Sequence, residues 1–395
     1  MFKDRAILTL SITQTLIWGG LFYVFPASLL LWEVDLGWSR AELTFGITLA
    51  TLAAALCAPL AGRFIDRNHG ATLMGLAPFL GGLALVALSQ VTALWQFYAL
   101  WLFIGVMQSG SLYEPCFALI THARGDKAKS GIVFVTLVAG FAGTIAFPTV
   151  HYLSAAIGWR WATALIGLAI AILIAPMQWR AASSLQRGRI PPPPRPPSEA
   201  KARNFLRRPV FWLLGLGLAT LAFVHGATLG HLLPLLNERG LSPEFAVFIA
   251  AMIGPMQVAG RVVMVASQRY FDNRHFLLFT FLSIGGAITL LLVSGNTHAL
   301  IVVFVLFYGS AWGMISILRP VIAREVLGQE NFGAKSGSLA LIFLVAAASS
   351  AYLGAMVWQA YGYDALLSGL VALTAIGAVL YLLANKAGHS GGAGH

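Results

Sequence analysis

Twelve long apolar runs recur along this chain, near residues 8–31, 43–61, 73–91, 95–120, 131–156, 161–178, 210–234, 245–267, 276–294, 299–322, 336–358 and 364–385. A helix needs about 17–25 apolar residues to cross the hydrocarbon core of a bilayer. Lipid offers no partner to a backbone N–H or C=O, so continuous runs of this length can satisfy themselves only as helices. Of the 395 residues 58% are hydrophobic and 10% charged, against roughly 25% charged in soluble domains. The expected fold class is an all-α membrane protein with twelve transmembrane helices in two six-helix bundles.

Basic residues set the expected orientation. With both termini cytoplasmic, twenty of the 25 Lys and Arg residues fall in inner segments, and only Arg40, Arg160 and Arg239 fall outside. The net charge of +11 is then a topology signal. Its spread over many loops argues against a nucleic-acid partner. No cleavable signal peptide is expected, because the first apolar run is long and lacks a small-residue cleavage site. Cys57 and Cys116 lie inside expected helices and suggest neither a disulfide nor a metal cluster. No cofactor is expected, the bilayer and a small solute are the expected partners, and the expected state is a monomer. No nucleotide-binding Gly-x-x-x-x-Gly-Lys-Ser/Thr loop occurs, and no nucleophile–base set marks an enzyme.

The chain repeats itself. "SLYEPCFALITHARGDKAKSG" (111–131) and "SILRPVIAREVLGQENFGAKSG" (316–337) each place one charge before a proline, Glu114 in the first and Arg319 in the second, and each ends in Ala-Lys-Ser-Gly. "GWSRAEL" (37–43) and "GLSPEFA" (240–246) open equivalent helices. Ser39 with Glu42 has the spacing of a capping box, and Ser242 before Pro243 reads as an N-cap with proline at the first helical position. The expected organisation is an N-terminal bundle over 1–178, an extended basic Pro-rich linker over 179–208, a C-terminal bundle over 209–386 and a tail over 387–395. Parallel repeats of this kind place a site near midplane between the halves.

"GRFIDRNHG" (Gly62–Gly70) resembles the Gly-x-x-x-Asp-Arg loop signature of the major facilitator superfamily, although the glycine expected after Arg67 comes late and the trailing basic pair is Ala71-Thr72. The resemblance implies that Asp66, with Arg67 beside it, latches the inner face against the helix beginning near Ser336. A carboxylate at a helix N-terminus is favoured by about 0.3–1 kcal/mol. The competing reading pairs Asp66 with Arg63 or Arg67. More narrowly, "FPASLLLWEVDLGWSRAEL" and "IGPMQVAGR" look like the bacterial monocarboxylate and oxalate/formate transporter branch. That resemblance implies an arginine on the eighth helix that meets a substrate carboxylate, and Arg261 matches its position.

A charge in the middle of a membrane helix costs about 2.5–3.5 kcal/mol on insertion scales and marks a candidate site. Arg261 lies about 12 Å inside the inner edge at 1.5 Å per residue. Gln257 shares its face one turn earlier. A guanidinium fork fits a carboxylate with two parallel bonds; the alternative is an arginine snorkelling to the headgroups. Three readings stay open for Glu114 and Arg319: a gate pair joining the halves, a proton site at Glu114, or static supports. Tyr113 belongs to the same gate segment. His225 is a candidate proton carrier, against a neutral histidine held by a backbone carbonyl. Tyr23, Trp18 and Gln14 on the first helix and Trp312 on the tenth are candidate cavity residues, with plain packing as the alternative.

These readings converge on a proton-coupled or exchanging secondary transporter of a small organic anion, in a multi-pass plasma membrane location such as a bacterial inner membrane. An exporter of drugs or organo-metalloid anions, or a non-transporting receptor on the same scaffold, is the alternative.

Overall fold

The computed structural model describes residues 4–125, 128–188, 204–328 and 332–390. Among the described residues there is helix and no strand. The helices are α1 (Arg5–Trp18), α2 (Val24–Leu36), α3 (Arg40–Asp66), α4 (Gly70–Leu88), α5 (Leu94–Ser111), α6 (Tyr113–Arg124), α7 (Ala128–Ala139), α8 (Ala142–Ala169), α9 (Ala175–Arg187), α10 (Pro209–Glu238), α11 (Pro243–Ser267), α12 (Asn273–Val293), α13 (His298–Leu327) and α14 (Phe332–Ser390). One compact unit holds Met1–Pro194 with Pro243–Gly254, and the other holds Arg195–Ser242 with Pro255–His395.

Nine helical stretches among the described residues are long and apolar enough to cross a membrane. Two of them are far too long to cross once. Ser130–Arg187 has 58 residues, or about 87 Å of helix against a core of about 30 Å. It turns at Gly158, where φ is +78°, and α14 turns likewise at Gly362, where φ is +80°. Only glycine adopts this left-handed backbone at no steric cost.

Local chemistry sets the helix starts. The Ser39 hydroxyl accepts the Glu42 N–H at 3.2 Å, and the Glu42 carboxylate accepts the Ser39 N–H at 2.8 Å, so the capping box is formed. Helix α11 begins at Pro243, as the N-cap reading expects. The extended linker, by contrast, begins later than its sequence suggests. Helix α9 continues to Arg187 because Gln178, Ala181, Ala182 and Leu185 form a buried stripe, and Gln186 bridges to Ala71 and Asn68. Residues 189–203 and 391–395, and with them most of the expected linker and the end of the tail, lie outside the described residues.

Prolines break the membrane helices, and neighbouring side chains repair the damage. Proline has no N–H to give the carbonyl four residues earlier, and its ring pushes that carbonyl away. The fourth apolar run is therefore two helices, with Leu112 extended (φ −89°, ψ −150°) between α5 and α6. The carbonyl that Pro115 releases is that of Ser111. It accepts the side-chain amides of Gln14 at 2.7 Å and Gln178 at 3.0 Å. The first apolar run is likewise interrupted by a π-helical turn, Gly19–Tyr23. In that i→i+5 register the partner of the Leu21 carbonyl would be Pro26, and the Gln108 amide takes its place at 2.7 Å. Pro255 releases the Ala251 carbonyl, which the Thr144 hydroxyl meets at 2.8 Å. Lipid cannot satisfy a freed carbonyl, so each break survives because another helix supplies a donor.

The three arginines expected outside all serve as ties. Arg160 donates to the Ser89 and Val91 carbonyls at 3.0 Å, beyond the last turn of α4, and lies 3.4 Å from Asp35. In the other unit Arg239 donates to the Leu291 and Leu292 carbonyls and the Ser294 hydroxyl at the end of α12, and pairs with Asp364. Cations are favoured at helix C-termini, where carbonyls lack partners. The indole of Trp159 donates to Asp35, and that of Trp358 to Glu238, each at 2.9 Å. Arg40 pairs with Glu33 at 2.9 Å. The sequence repeat is thus a repeat of end chemistry within each unit.

At the opposite end of the first unit, Asp4 caps α1 through the Ala6 and Ile7 N–H groups and binds Arg124 at 2.7 Å. Burial raises its carboxyl pKa, but the hydrogen bond and charge of Arg124 and the two backbone donors together outweigh this and hold the pKa below its ordinary value of 3.8. A depressed carboxyl stabilises the fold above its unfolded pKa, and that contribution disappears as pH falls through the folded value. Asp4→Asn keeps a capping oxygen but loses the charged pair with Arg124, so it should cost about 0.2–1 kcal/mol at pH 7. The cost should shrink below pH 3.8; thermal melts of both proteins at the two pH values measure it.

Candidate functional site

The second unit holds five of the expected site residues on three helices. On α11, Arg261 is 8% exposed. Its Nε donates to the Gly313 carbonyl of α13 at 2.8 Å, which holds the guanidinium against α13. The helices approach closely enough for this because glycines line the crossing. A Cβ on Gly313 would lie 2.1 Å from the Gln257 carbonyl, and one on Gly260 would lie 2.0 Å from the Ser310 carbonyl. Gln257 itself is buried one turn before Arg261.

Beside Gly313, Trp312 stacks on the imidazole of His225 from α10, with centroids 3.7 Å apart and planes 10° apart. His225 Nδ1 shares a 2.8 Å hydrogen bond with the Tyr308 hydroxyl, one turn before Trp312 on α13. The stack continues from Trp312 to Phe343 of α14 at 6.3 Å. The Arg319 guanidinium rests over the other end of that row, 4.7 Å from the Phe343 centroid. A cation over an aromatic face is worth about 0.5–2 kcal/mol, more when desolvated. His225, Trp312, Arg319 and Arg261 therefore border one stretch of α13. Nothing in the sequence marks Tyr308 and Phe343 as the residues that join them, since aromatics are common in this chain and their partners are distant along it.

His231, two turns further along α10, is a satisfied structural histidine. Its Nε2 donates to the Ala351 carbonyl at 2.9 Å, and Nδ1 faces the Tyr363 hydroxyl at 3.3 Å. The carbonyl-held histidine that the sequence allows for His225 is found here instead.

The candidates in the first unit are arranged around the α5–α6 break. Gln14 is fully buried with its amide committed to Ser111 and Gln178, so it supports the break instead of lining a cavity. Trp18 packs on Tyr113 at 4.9 Å, and Tyr113 stacks on Phe117. Tyr23 packs edge-on against Phe147. Glu114 is exposed, directly after Tyr113 in the first turn of α6. Asp66, at the end of α3, lies 3.7 Å from His122 of α6. Arg67 is exposed just beyond α3.

The sequence model described as Major Facilitator Superfamily matches residues 10–351. Among curated proteins, the MFS transporter asaE of Aspergillus flavus is 24% identical over 78% of this chain and 68% of its own length. Monocarboxylate transporter 12 of Xenopus laevis is 24% identical over 37% of this chain and 32% of its own. Among solved structures, the nucleoside transporter NupG superposes with a TM-score of 0.75 at 12% identity, covering 97% of this chain and 99% of that one. A bacterial homologue of the human lysosomal transporter Spinster, inward-facing and occupied, gives 0.69 at 17% identity, covering 98% and 97%.

Proposed function

This chain belongs to the major facilitator superfamily, a family of multi-pass membrane transporters rather than enzymes, and from that membership we propose that it carries a small organic anion, a monocarboxylate, by alternating access. Uptake is coupled to a proton or to exchange of a second anion. In this reading twelve segments cross a bacterial inner membrane, with both termini on the cytoplasmic side. The observation that carries it is Arg261, an intramembrane guanidinium buried at 8% exposure and oriented by the Gly313 carbonyl. A planar fork of donors in a low-dielectric setting suits a carboxylate. The partial likeness to a monocarboxylate transporter supports the same substrate class.

Uptake of radiolabelled formate, acetate, propionate, lactate, pyruvate and hexanoate into pH-clamped proteoliposomes tests this. Saturable uptake of at least one above protein-free vesicles is expected. Absence of uptake for all six refutes the substrate class.

Glu114 and Arg319 are proposed as a gate pair, on the ground of their matching places in the sequence repeat. Glu114→Arg and Arg319→Glu should each reduce uptake about tenfold or more, and the double reversal should recover most of it, since coupled residues depart from additivity. A double variant no better than the singles removes the pair from the mechanism.

A further inference from the structure

We propose that the second unit binds one buried water molecule in a cavity between α10, α12 and α14, where it joins the Thr228 hydroxyl to the Tyr363 hydroxyl. The cavity has room for about one water. Its apolar walls include Leu235 of α10, Leu291 of α12 and Leu367 of α14, and Thr228, His231 and Tyr363 supply the polar lining. Thr228 is 3% exposed, and its Oγ1 has no hydrogen-bond partner among the described residues. A threonine inside a helix commonly returns its hydroxyl to a carbonyl of the preceding turn, as Thr44, Thr51 and Thr280 do in this chain. Thr228 does not. A hydroxyl left unmet in the interior is costly, and cavities that stay dry are lined by apolar groups.

The neighbouring groups fix the direction of each bond. Thr228 and His231 share a face of α10, three residues apart. His231 Nε2 donates to the Ala351 carbonyl at 2.9 Å. In the neutral ring Nδ1 is then an acceptor, and the Tyr363 hydroxyl, 3.3 Å away, is its donor. The hydroxyl oxygen keeps lone pairs to which a water can donate. The water therefore accepts from Thr228 Oγ1 and donates to Tyr363. The chain then runs one way, from Thr228 through water, Tyr363 and His231 to the Ala351 carbonyl, and bonds aligned in this way polarise and strengthen one another. This chain spans the turn of α14, because Ala351 precedes Gly362 and Tyr363 follows it. It also adjoins the Arg239 tie, since Arg239 bonds the carbonyl of Leu291 in the cavity wall and pairs with Asp364, next to Tyr363. The water is thus a further fastening of α10 to both limbs of α14, whatever Arg261 binds.

Thr228→Val keeps the side-chain shape and removes the hydroxyl, so the sign of its effect is decisive. With a water bound, the purified variant should melt about 2–4 °C below wild type, because the water loses its donor. A dry cavity predicts the reverse, since exchanging an unmet hydroxyl for a methyl group is neutral or stabilising. A melting temperature that holds or rises in Thr228→Val therefore overturns the proposal. Tyr363→Phe should also melt earlier, and in the double variant the two shifts should fall short of their sum, because both remove the same water. Additive shifts overturn the bridge. A high-resolution density map of the wild-type protein gives a readout that no folding defect can obscure. A peak is expected within hydrogen-bonding distance of both Thr228 Oγ1 and the Tyr363 hydroxyl; well-ordered side chains with no peak between them overturn the site.

Discussion

Arg261→Lys should lower carboxylate uptake about 100-fold or more while leaving the protein folded. Lysine keeps the positive charge but loses the planar fork. It also loses the rigid geometry by which Nε grips the Gly313 carbonyl while the rest of the guanidinium is aimed elsewhere. A bidentate charge-assisted contact contributes roughly 3 kcal/mol when desolvated, and about 1.4 kcal/mol corresponds to each tenfold in rate. Initial rates in proteoliposomes, normalised to reconstituted protein, are the readout. An exporter of apolar drugs on the same scaffold would tolerate the change, so wild-type rates in the lysine variant would move the function to that class.

The second large effect is structural. Gly313→Ala adds one methyl group that would meet the Gln257 carbonyl carbon and oxygen of α11 at 2.7 and 2.1 Å. Backbone cannot rotate aside as a flexible side chain can, so α11 and α13 must separate. Overpacking of this kind costs about 1–3 kcal/mol, and separation also draws Arg261 away from its anchor. A clear drop in melting temperature together with loss of uptake is the expected result. Gly286→Ala provides the contrast, because its Cβ would meet open space. There the higher helix propensity of alanine should leave stability unchanged or slightly raised. Equal destabilisation by both substitutions would show that close helix approach is not what Gly313 provides.

Much of this was legible in the sequence because bilayers impose simple rules. The long apolar helices and the Ser39–Glu42 cap follow from local composition or from short spacings. The position of Arg261 was readable for the same reason, since an arginine within an apolar run stands out. Its gripping of Gly313 was not, because that contact depends on where two helices cross. The same limit applies to Gln14. A glutamine on the first helix looks like a polar cavity residue, yet it holds a carbonyl released by a proline about a hundred positions away. Pro115 announces a break, but the donors that make the break tolerable, Gln14 and Gln178, come from helices that meet only in the folded chain. The extension of α9 to Arg187 was hidden for a related reason. Its helical stripe is short and merges into a Pro-rich segment that dominates the local composition.

The ties formed by Arg160 and Arg239 also have a mechanical meaning. Each guanidinium staples a helix terminus to the turn beside Gly158 or Gly362, so that end of each bundle behaves as a stiff collar. In the first bundle the far end instead carries a helix severed at Leu112 and reattached through side-chain amides. Rigidity is therefore graded along the length of that bundle, and deuterium should enter the amides of α6 well before those at the start of α5.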